Sequence, residues 1–131
     1  MEPNTRNTLT KAERLCSKTE LDRLFANGTS VFEFPFKFIF LPFNDESSYP
    51  VQDVFSVPKR TFKRAVKRNL LKRRMREAYR LNKQLLYEPL KANQQRISLM
   101  IIYVDKEVKN YATIEKGMIK GMKKVLKKLP G

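Results

Sequence analysis

Apolar residues recur along the chain with two different periods, and these periods predict where helices and strands form. Near the start, Leu21, Leu24 and Phe25 fall on one side of a helix that is predicted over residues 18–26. An Asn-Gly pair follows directly, and this dipeptide commonly ends a helix. The first predicted element is therefore a short helix.

Residues 30–43 alternate with a period of two, which is typical of a strand. Pro35 lacks a backbone N–H, so it places this predicted strand at a sheet edge or at a bulge. Every second residue is aromatic, and one face of the strand carries five rings: Phe32, Phe34, Phe36, Phe38 and Phe40.

Three further segments complete the predicted elements around a long basic region. Residues 51–57 form a short strand that ends before Pro58, because proline breaks the run. Residues 97–104 are apolar and rich in β-branched side chains, which indicates a buried strand. Residues 110–129 place apolar residues at helical spacing with lysines between them, and this predicts a final amphipathic helix. The order predicts an α+β domain with helices packed on a small sheet.

The basic region, residues 58–86, contains a helical pattern with two chemically different sides. At about 100° per residue, the cationic side chains lie mostly opposite one apolar stripe. The stripe consists of Leu71, Met75, Ala78, Tyr79, Leu85 and Leu86. The apolar residues within 62–66 fall away from this stripe, so the helix is predicted to begin near Val66 or Lys67, after an irregular basic loop.

Positive charge is concentrated in the second part of this 131-residue chain, whose formal net charge is +15. Residues 1–53 carry 6 basic and 8 acidic side chains, whereas residues 54–131 carry 22 basic and 5 acidic ones. Between Lys59 and Lys83 there are 12 basic residues and one acid, Glu77. A solvated helix face normally mixes both signs of charge, so this face predicts a polyanionic partner.

The residue inventory argues against several classes of protein. There is no histidine and only one cysteine, Cys16, so neither a disulfide framework nor a zinc site is expected. No apolar run is long enough for a membrane-spanning helix. The 13 acidic residues are scattered, unlike the clustered carboxylates of a metal-dependent nuclease. We predict a cytoplasmic binding protein without catalytic residues or a metal of its own.

The chemistry of these features leaves more than one interpretation open. Arginine outnumbers lysine on the basic helix, and the planar guanidinium suits phosphate oxygens, but this alone does not distinguish RNA from DNA. The aromatic face of residues 30–43 most simply belongs to the core, and Phe32, Phe34 and Phe36 are assigned there. RNA-binding proteins also stack unpaired bases on aromatic residues of a sheet, and Phe38 and Phe40 are retained for that role.

The motifs of the basic region resemble those of one protein family, the bacterial ribonuclease P protein component. They are Ser56-Val57-Pro58-Lys59-Arg60, Ala65-Val66-Lys67-Arg68-Asn69, Lys72-Arg73 and Arg76-Glu77-Ala78-Tyr79. The resemblance extends over residues 9–128. Two positions differ from the family pattern: Leu70 replaces the last residue of its Arg-Asn-Arg motif, and Leu21 stands where many members have an aromatic residue.

The resemblance implies a fold and two surfaces that contact RNA. The fold is a single two-layer α+β domain over residues 1–131, in the order α-β-β-β-α-β-α, with a left-handed β-α-β crossover and a flexible segment 1–10. The basic surface would bind the catalytic RNA subunit through Lys59, Arg60, Arg64, Lys67, Arg68, Asn69, Lys72, Arg73, Arg76 and Arg80. A cleft for the single-stranded 5′ leader of precursor tRNA would be lined by Leu21, Phe25, Phe38, Phe40 and Arg60.

The resemblance also implies how the work is divided in the holoenzyme, an endoribonuclease that removes the 5′ leader. The RNA subunit is catalytic and uses Mg²⁺, while the protein binds both RNAs, broadens substrate recognition, supports Mg²⁺ binding and does not cleave alone. Neither a membrane nor DNA is expected as a partner. Three alternatives remain: a general single-stranded or structured-RNA-binding chaperone, a DNA-binding regulator and a stand-alone nuclease.

Overall fold

The computed structural model describes residues 18–42 and 50–129, so the predictions for residues 1–10 and Cys16 lie outside the described residues. The elements are α1 (Lys18–Asn27), β1 (Thr29–Glu33), β2 (Phe36–Pro42), β3 (Val51–Ser56), α2 (Ala65–Asn82), α3 (Gln84–Ala92), β4 (Ile97–Tyr103) and α4 (Tyr111–Lys128). The α+β class is confirmed, and the order α-β-β-β-α-β-α implied by the resemblance is observed with one addition. One further helix, α3, stands between the basic helix and the last strand.

The four strands form one mixed sheet in the order β1-β2-β4-β3. Strand β2 is antiparallel to both β1 and β4, whereas β3 and β4 are parallel. Parallel neighbours need a long connection, and here α2 and α3 supply it. Strand β4 is central, which explains why its sequence is a continuous apolar run. The hand of the β3-to-β4 crossover stays a prediction.

The aromatic segment is a hairpin, so the prediction of one strand over residues 30–43 is wrong. Phe34 and Pro35 form the two-residue turn between β1 and β2, and Glu33 pairs with Phe36. Pro35 therefore occupies a turn, where its missing N–H costs no ladder hydrogen bond.

The turn also changes which aromatic residues share a face. Because two turn residues separate paired positions, Val31 lies opposite Phe38 on one face, and Phe32 lies opposite Lys37 on the other. Phe36, Phe38 and Phe40 belong to the core, together with Val31. Phe32 is 56 % exposed and Phe34 in the turn is 46 % exposed, so their assignment to the core is wrong.

Helices cover the two faces of the sheet unequally. The face that carries Phe36, Phe38 and Phe40 is covered by α2, α3 and α4, which contribute the other residues of the main core. On the opposite face, α1 packs Leu24 against Ile39 and Met100, and it forms a smaller second cluster. Helix α1 therefore lies outside the predicted two layers, on the face of the sheet opposite to the other helices. It covers that face only in part.

The predicted long helix is two helices. Helix α2 starts at Ala65, close to the predicted start, but ends at Asn82, and α3 continues after Lys83. The Lys83 side chain is buried, and its Nζ lies 5.3 Å from the ring centre of Tyr87. The new direction of α3 buries Leu86 and leaves Leu85 exposed. The prediction that Leu85 belongs to the apolar stripe is therefore wrong.

Helix α4 follows the predicted pattern and approaches the β1–β2 hairpin closely. Ile114, Met118, Met122 and Val125 are buried on its sheet side. A Cβ atom at Gly121 would overlap the Phe38 ring, so the helix can lie this near the strand only with glycine there.

This contact gives a test of the packing. Gly121→Ala raises helix propensity by about 1 kcal/mol, but we expect a net loss of about 1–3 kcal/mol in unfolding free energy because the methyl group overpacks the core. Chemical denaturation would measure the loss. Adding Phe38→Leu removes the overlap, so the double variant should lose less than the sum of both single variants. Simple additivity would contradict the close contact.

Candidate nucleic-acid interface

The cationic side of α2 is exposed because its apolar side is fixed in the core. Leu71, Met75, Ala78 and Tyr79 are buried, and the ring of Tyr79 packs edge-on against Phe55 with centres 5.5 Å apart. The positions between them point to solvent. Of the predicted RNA-binding residues, Lys59, Arg60, Arg64, Lys67, Asn69, Arg73 and Arg76 are exposed, and Arg68, Lys72 and Arg80 are partly exposed.

The loop that precedes α2 joins the same surface. Thr61 N and Phe62 N both donate to Pro58 O, and the buried Phe62 ring lies 5.8 Å from the ring of Tyr103. This anchor leaves Lys59 and Arg60 exposed beside the helix start. The loop and α2 therefore present one continuous set of cations.

Arg68 has a structural role that the sequence did not reveal. Its Nη1 donates to Phe62 O at 2.7 Å and to Lys63 O at 2.9 Å, so the guanidinium ties the loop to the first turns of α2. Part of its hydrogen-bonding capacity is thus used within the protein. We assign Arg68 to holding the surface together as well as to contributing charge.

The start of α2 adds to the positive potential. Arg64 occupies the N-cap without a side-chain hydrogen bond to the helix, and the first turn contains no acidic residue. A helix N-terminus already carries a partial positive charge, so Lys67 and Arg68 are unfavourable there unless an anion lies nearby. Phosphate groups would satisfy both the free backbone N–H groups and the side chains.

Glu77 marks the end of this cationic surface. Its carboxylate accepts hydrogen bonds from Arg80 Nε at 2.9 Å and Arg80 Nη2 at 2.7 Å. These bonds lower the pKa of Glu77 from its ordinary value and raise the pKa of Arg80. Because Arg80 is paired with Glu77, it offers less free charge than Arg73 or Arg76.

A second candidate surface lies between α1 and the partly covered face of the sheet. Ser98 Oγ donates to Glu20 Oε2 at 3.2 Å, and Arg23 Nη2 donates to Pro42 O at 3.1 Å, so both ends of the contact are polar. Leu21 packs at the margin of the cluster around Leu24, while Phe25 is 61 % exposed.

The strand residues on this face of the sheet differ from those predicted to line the cleft. Phe38 and Phe40 are 0 % and 2 % exposed and pack in the main core, so the prediction that they line a cleft is wrong. The alternate positions of β2 lie on the face that carries α1 instead: Lys37, Ile39 and Leu41. Pro35 between two aromatic runs was the signal of a turn, but a turn alone does not show which face of β2 the helices cover.

Arg60 belongs to the loop that follows β3 and not to the cluster of α1. It is four residues beyond Ser56, which pairs with Ile102, a residue at the margin of the second cluster. The structure thus brings Leu21 together with Ile102 and Leu41 in one cluster, and it leaves Phe25 and Arg60 as exposed side chains outside it.

The described residues also bear on other kinds of site. Residues 18–42 and 50–129 contain no group of three or more His, Cys, Asp or Glu side chains arranged to hold a metal ion. Among the helices of the same residues, none has the length and apolar character needed to cross a membrane. Two surfaces therefore require a functional explanation. One is the cationic surface of α2 and the loop before it, and the other is the surface beside α1.

Comparisons with known proteins point to one family. The family model described as Ribonuclease P matches residues 9–129. A ribonuclease P protein component of Porphyromonas gingivalis is 33 % identical over 122 residues, covering 93 % of this chain and 89 % of the relative. One from Chlorobaculum tepidum is 37 % identical over 87 residues, covering 64 % of this chain and 56 % of the relative.

The fold is also similar to those of solved RNase P protein structures. The Staphylococcus aureus RNase P protein superimposes with a TM-score of 0.68 at 20 % identity, covering 88 % of this chain and 96 % of that one. The Thermotoga maritima RNase P protein gives a TM-score of 0.67 at 22 % identity, covering 91 % and 99 %. From the family match and the sequence relatives together, this chain belongs to the ribonuclease P protein component family.

Proposed function

We propose that this chain binds the catalytic RNA of ribonuclease P through the exposed side of α2 and the loop before it. The holoenzyme would then remove the 5′ leader of precursor tRNA. The observation that carries the proposal is the division of α2 into a buried apolar side and an exposed side whose charged residues, from Arg64 to Arg76, are all cations. Neighbouring cations repel unless an anion lies over them, and RNA phosphates supply that anion.

The shape of the surface supports RNA over a small anion. The cations extend from Lys59 in the loop to Arg76 in α2, which spans several helical turns. A polyphosphate backbone can contact all of them at once, and each contact releases a counterion, so binding strengthens with the number of contacts. Exposed arginines such as Arg73 and Arg76 add planar donors that suit phosphate oxygens.

We propose further that the groove beside α1 takes the single-stranded 5′ leader. Phe25 offers an exposed ring on which an unpaired base can stack, and Lys37 supplies a cation on the same face of the sheet as Ile39. Leu21 and Leu41 would give the groove an apolar floor. Arg60, in the exposed loop after β3, would hold a phosphate.

The chemistry in this proposal belongs to the RNA. The RNA subunit would hold the Mg²⁺ ions that activate water at the scissile phosphate, and the protein would bind no cofactor. The chain's own contribution is electrostatic: its cations reduce the repulsion between two large polyanions, and a leader held in place fixes the RNA geometry on which Mg²⁺ binding depends. We assign this work to the cytoplasm.

A general RNA-binding chaperone is the second candidate, since it would use the same charges. It would bind many RNAs with similar affinity, whereas a ribonuclease P subunit should restore 5′ maturation when mixed with ribonuclease P RNA at low Mg²⁺. Reconstitution of the full chain with the ribonuclease P RNA of the same genome separates the two. Cleavage by the protein alone would instead support a stand-alone nuclease.

The α2 surface can be tested with exposed residues only. Replacing Lys67, Arg73 and Arg76 with Gln removes three proposed phosphate contacts, so the slope of log K against log salt for ribonuclease P RNA should fall by about two to three units. Filter binding over a range of salt concentrations would measure it.

The matched control removes the same charge elsewhere. Lys18, Lys91 and Lys106 are exposed and lie outside both proposed surfaces, so their replacement with Gln should change the slope by less than one unit. Equal effects of the two triple variants would show that only net charge matters. Arg68 is left unchanged because its bonds to Phe62 O and Lys63 O hold the loop.

The groove can be tested by comparing two substrates. Phe25→Ala should weaken holoenzyme binding of precursor tRNA with a long leader by about 1–3 kcal/mol, which is the usual worth of one stacked base. Mature tRNA has no leader, so its affinity should stay the same. Because Phe25 is largely exposed, the thermal stability should change little.

Two other phenylalanines serve as controls. Phe34→Ala removes an exposed ring at the hairpin turn and should affect neither substrate. Phe40→Ala removes a core ring and should cost about 3–5 kcal/mol of unfolding free energy, with both affinities falling together. A Phe25 variant that behaves like either control would contradict the leader groove.

A further inference from the structure

Helix α4 carries a second cationic surface that the proposed function does not use. Lys116, Lys120, Lys123 and Lys127 follow one another at intervals of four, three and four residues, so they form a single stripe along the helix. All four are exposed, and the stripe lies opposite the buried Met118, Met122 and Val125. We name this surface the lysine stripe; at about 1.5 Å of rise per residue it is about 16 Å long.

The lysine stripe has no acidic counterpart among the described residues. In residues 18–42 and 50–129, the ion pairs of α4 involve Lys124, which reaches Glu33 at 3.0 Å, and not the four lysines of the stripe. Residues one turn apart on the stripe therefore repel each other. A surface helix that only needs solubility would place acids at these spacings.

The helix dipole accounts for only part of the stripe. Lysines in the last turn, such as Lys127 and Lys128, interact favourably with the negative end of α4. Lys116 and Lys120 lie in the first half and the middle of the helix, where the dipole does not favour a cation. Their positions call for a different explanation.

The lysine stripe is separate from the cations of α2. Arg74 Nη1 donates to Lys109 O just before α4, and Asn82 Nδ2 donates to Glu115 Oε2 near its start. The two helices therefore run in the same direction. Lys67, Lys72 and Arg73 of α2 precede both contacts, Arg76 lies between them, and the stripe on α4 follows both. Between the two surfaces lie the carboxylates of Glu77, bonded to Arg80, and of Glu115.

Helix α4, which carries the stripe, is closely packed on the β1–β2 hairpin. Gly117 and Gly121 bring α4 against the β1–β2 hairpin, where an added Cβ would meet Phe34 O and the Phe38 ring. Lys124, beside the stripe, also donates to Phe32 O at 2.8 Å. The lysines thus project from a helix whose position against the hairpin is set by these close contacts.

From these observations, we infer that the lysine stripe binds a second segment of the RNA subunit's phosphate backbone, distinct from the segment on α2. The inference rests on the proposed function. The RNA subunit is the chosen occupant because the stripe belongs to the same helical layer as α2, whereas the leader groove lies on the other face of the sheet. Lysine is a point charge without the planar fork of arginine, so this contact is expected to read charge and not base sequence.

The test compares three triple variants of the full-length chain in binding to ribonuclease P RNA. The stripe variant replaces three lysines of α4 with Gln: Lys120, Lys123 and Lys127. The matched control removes the same charge elsewhere by replacing Lys18, Lys91 and Lys106 with Gln. The α2 variant replaces Lys67, Arg73 and Arg76 with Gln. The stripe variant should weaken binding about tenfold and lower the salt slope by about two units, with little change for the matched control. Replacement of the stripe lysines with Arg should preserve binding, because the charge is kept.

Each other outcome overturns the inference. Equal losses in the stripe variant and the matched control would mean that only net charge matters. If the stripe variant binds ribonuclease P RNA normally and the α2 variant binds it weakly, the inference is wrong and the proposed function stands. If neither variant loses affinity, the inference and the proposed function are both contradicted. A loss confined to precursor tRNA binding would make the substrate the occupant. A large fall in the stripe variant's melting temperature would make these lysines structural.

Discussion

The burial of one side of α2 is the interaction on which the cationic surface depends. Leu71, Met75, Ala78 and Tyr79 enter the core between the sheet and the neighbouring helices, and this fixes the rotation of the helix about its axis. The cations on the other side are then held close together although they repel each other. Apolar burial, at about 25 cal/mol per Å², is what offsets this repulsion in the free protein. A bound polyanion would relieve it.

The two-residue turn at Phe34 and Pro35 has a comparable effect on the sheet. By fixing the pairing of Val31 with Phe38, it commits one face of the hairpin to the main core and the other to the side that carries α1. A slip of this pairing by one residue would turn the faces of β1 over relative to those of β2. The same turn receives α4, since Gly117 packs against Phe34 O and Pro35.

The positive charge of the chain is divided by the fold into separate surfaces. One extends along the loop and α2, and another follows α4, with Glu77 and Glu115 near the contact between the two helices. Hydrogen bonds at this contact, from Arg74 to Lys109 O and from Asn82 to Glu115, set the relative position of the helices. The distribution of charge over the surface therefore follows from how the helices pack, and not from composition alone.

The local sequence was sufficient for the basic surface but not for the groove. The helical period of residues 65–82 placed Lys67, Arg73 and Arg76 opposite the apolar stripe, because side chains three and four apart on a helix share a side whatever the helix packs against. Similarly, the continuous apolar run of β4 indicated a buried strand before its position in the sheet was known.

Only the tertiary structure decided which aromatic residues face outward. A strand's two faces are distinguished by what packs on them, and the covering helices come from distant parts of the chain. Phe38 and Phe40 became core because α2, α3 and α4 cover their face, and Ile39 joined the other cluster because α1 covers it. Arg68 was selected by its charge, but its bonds to Phe62 O and Lys63 O depend on the course of the loop, which no periodicity encodes.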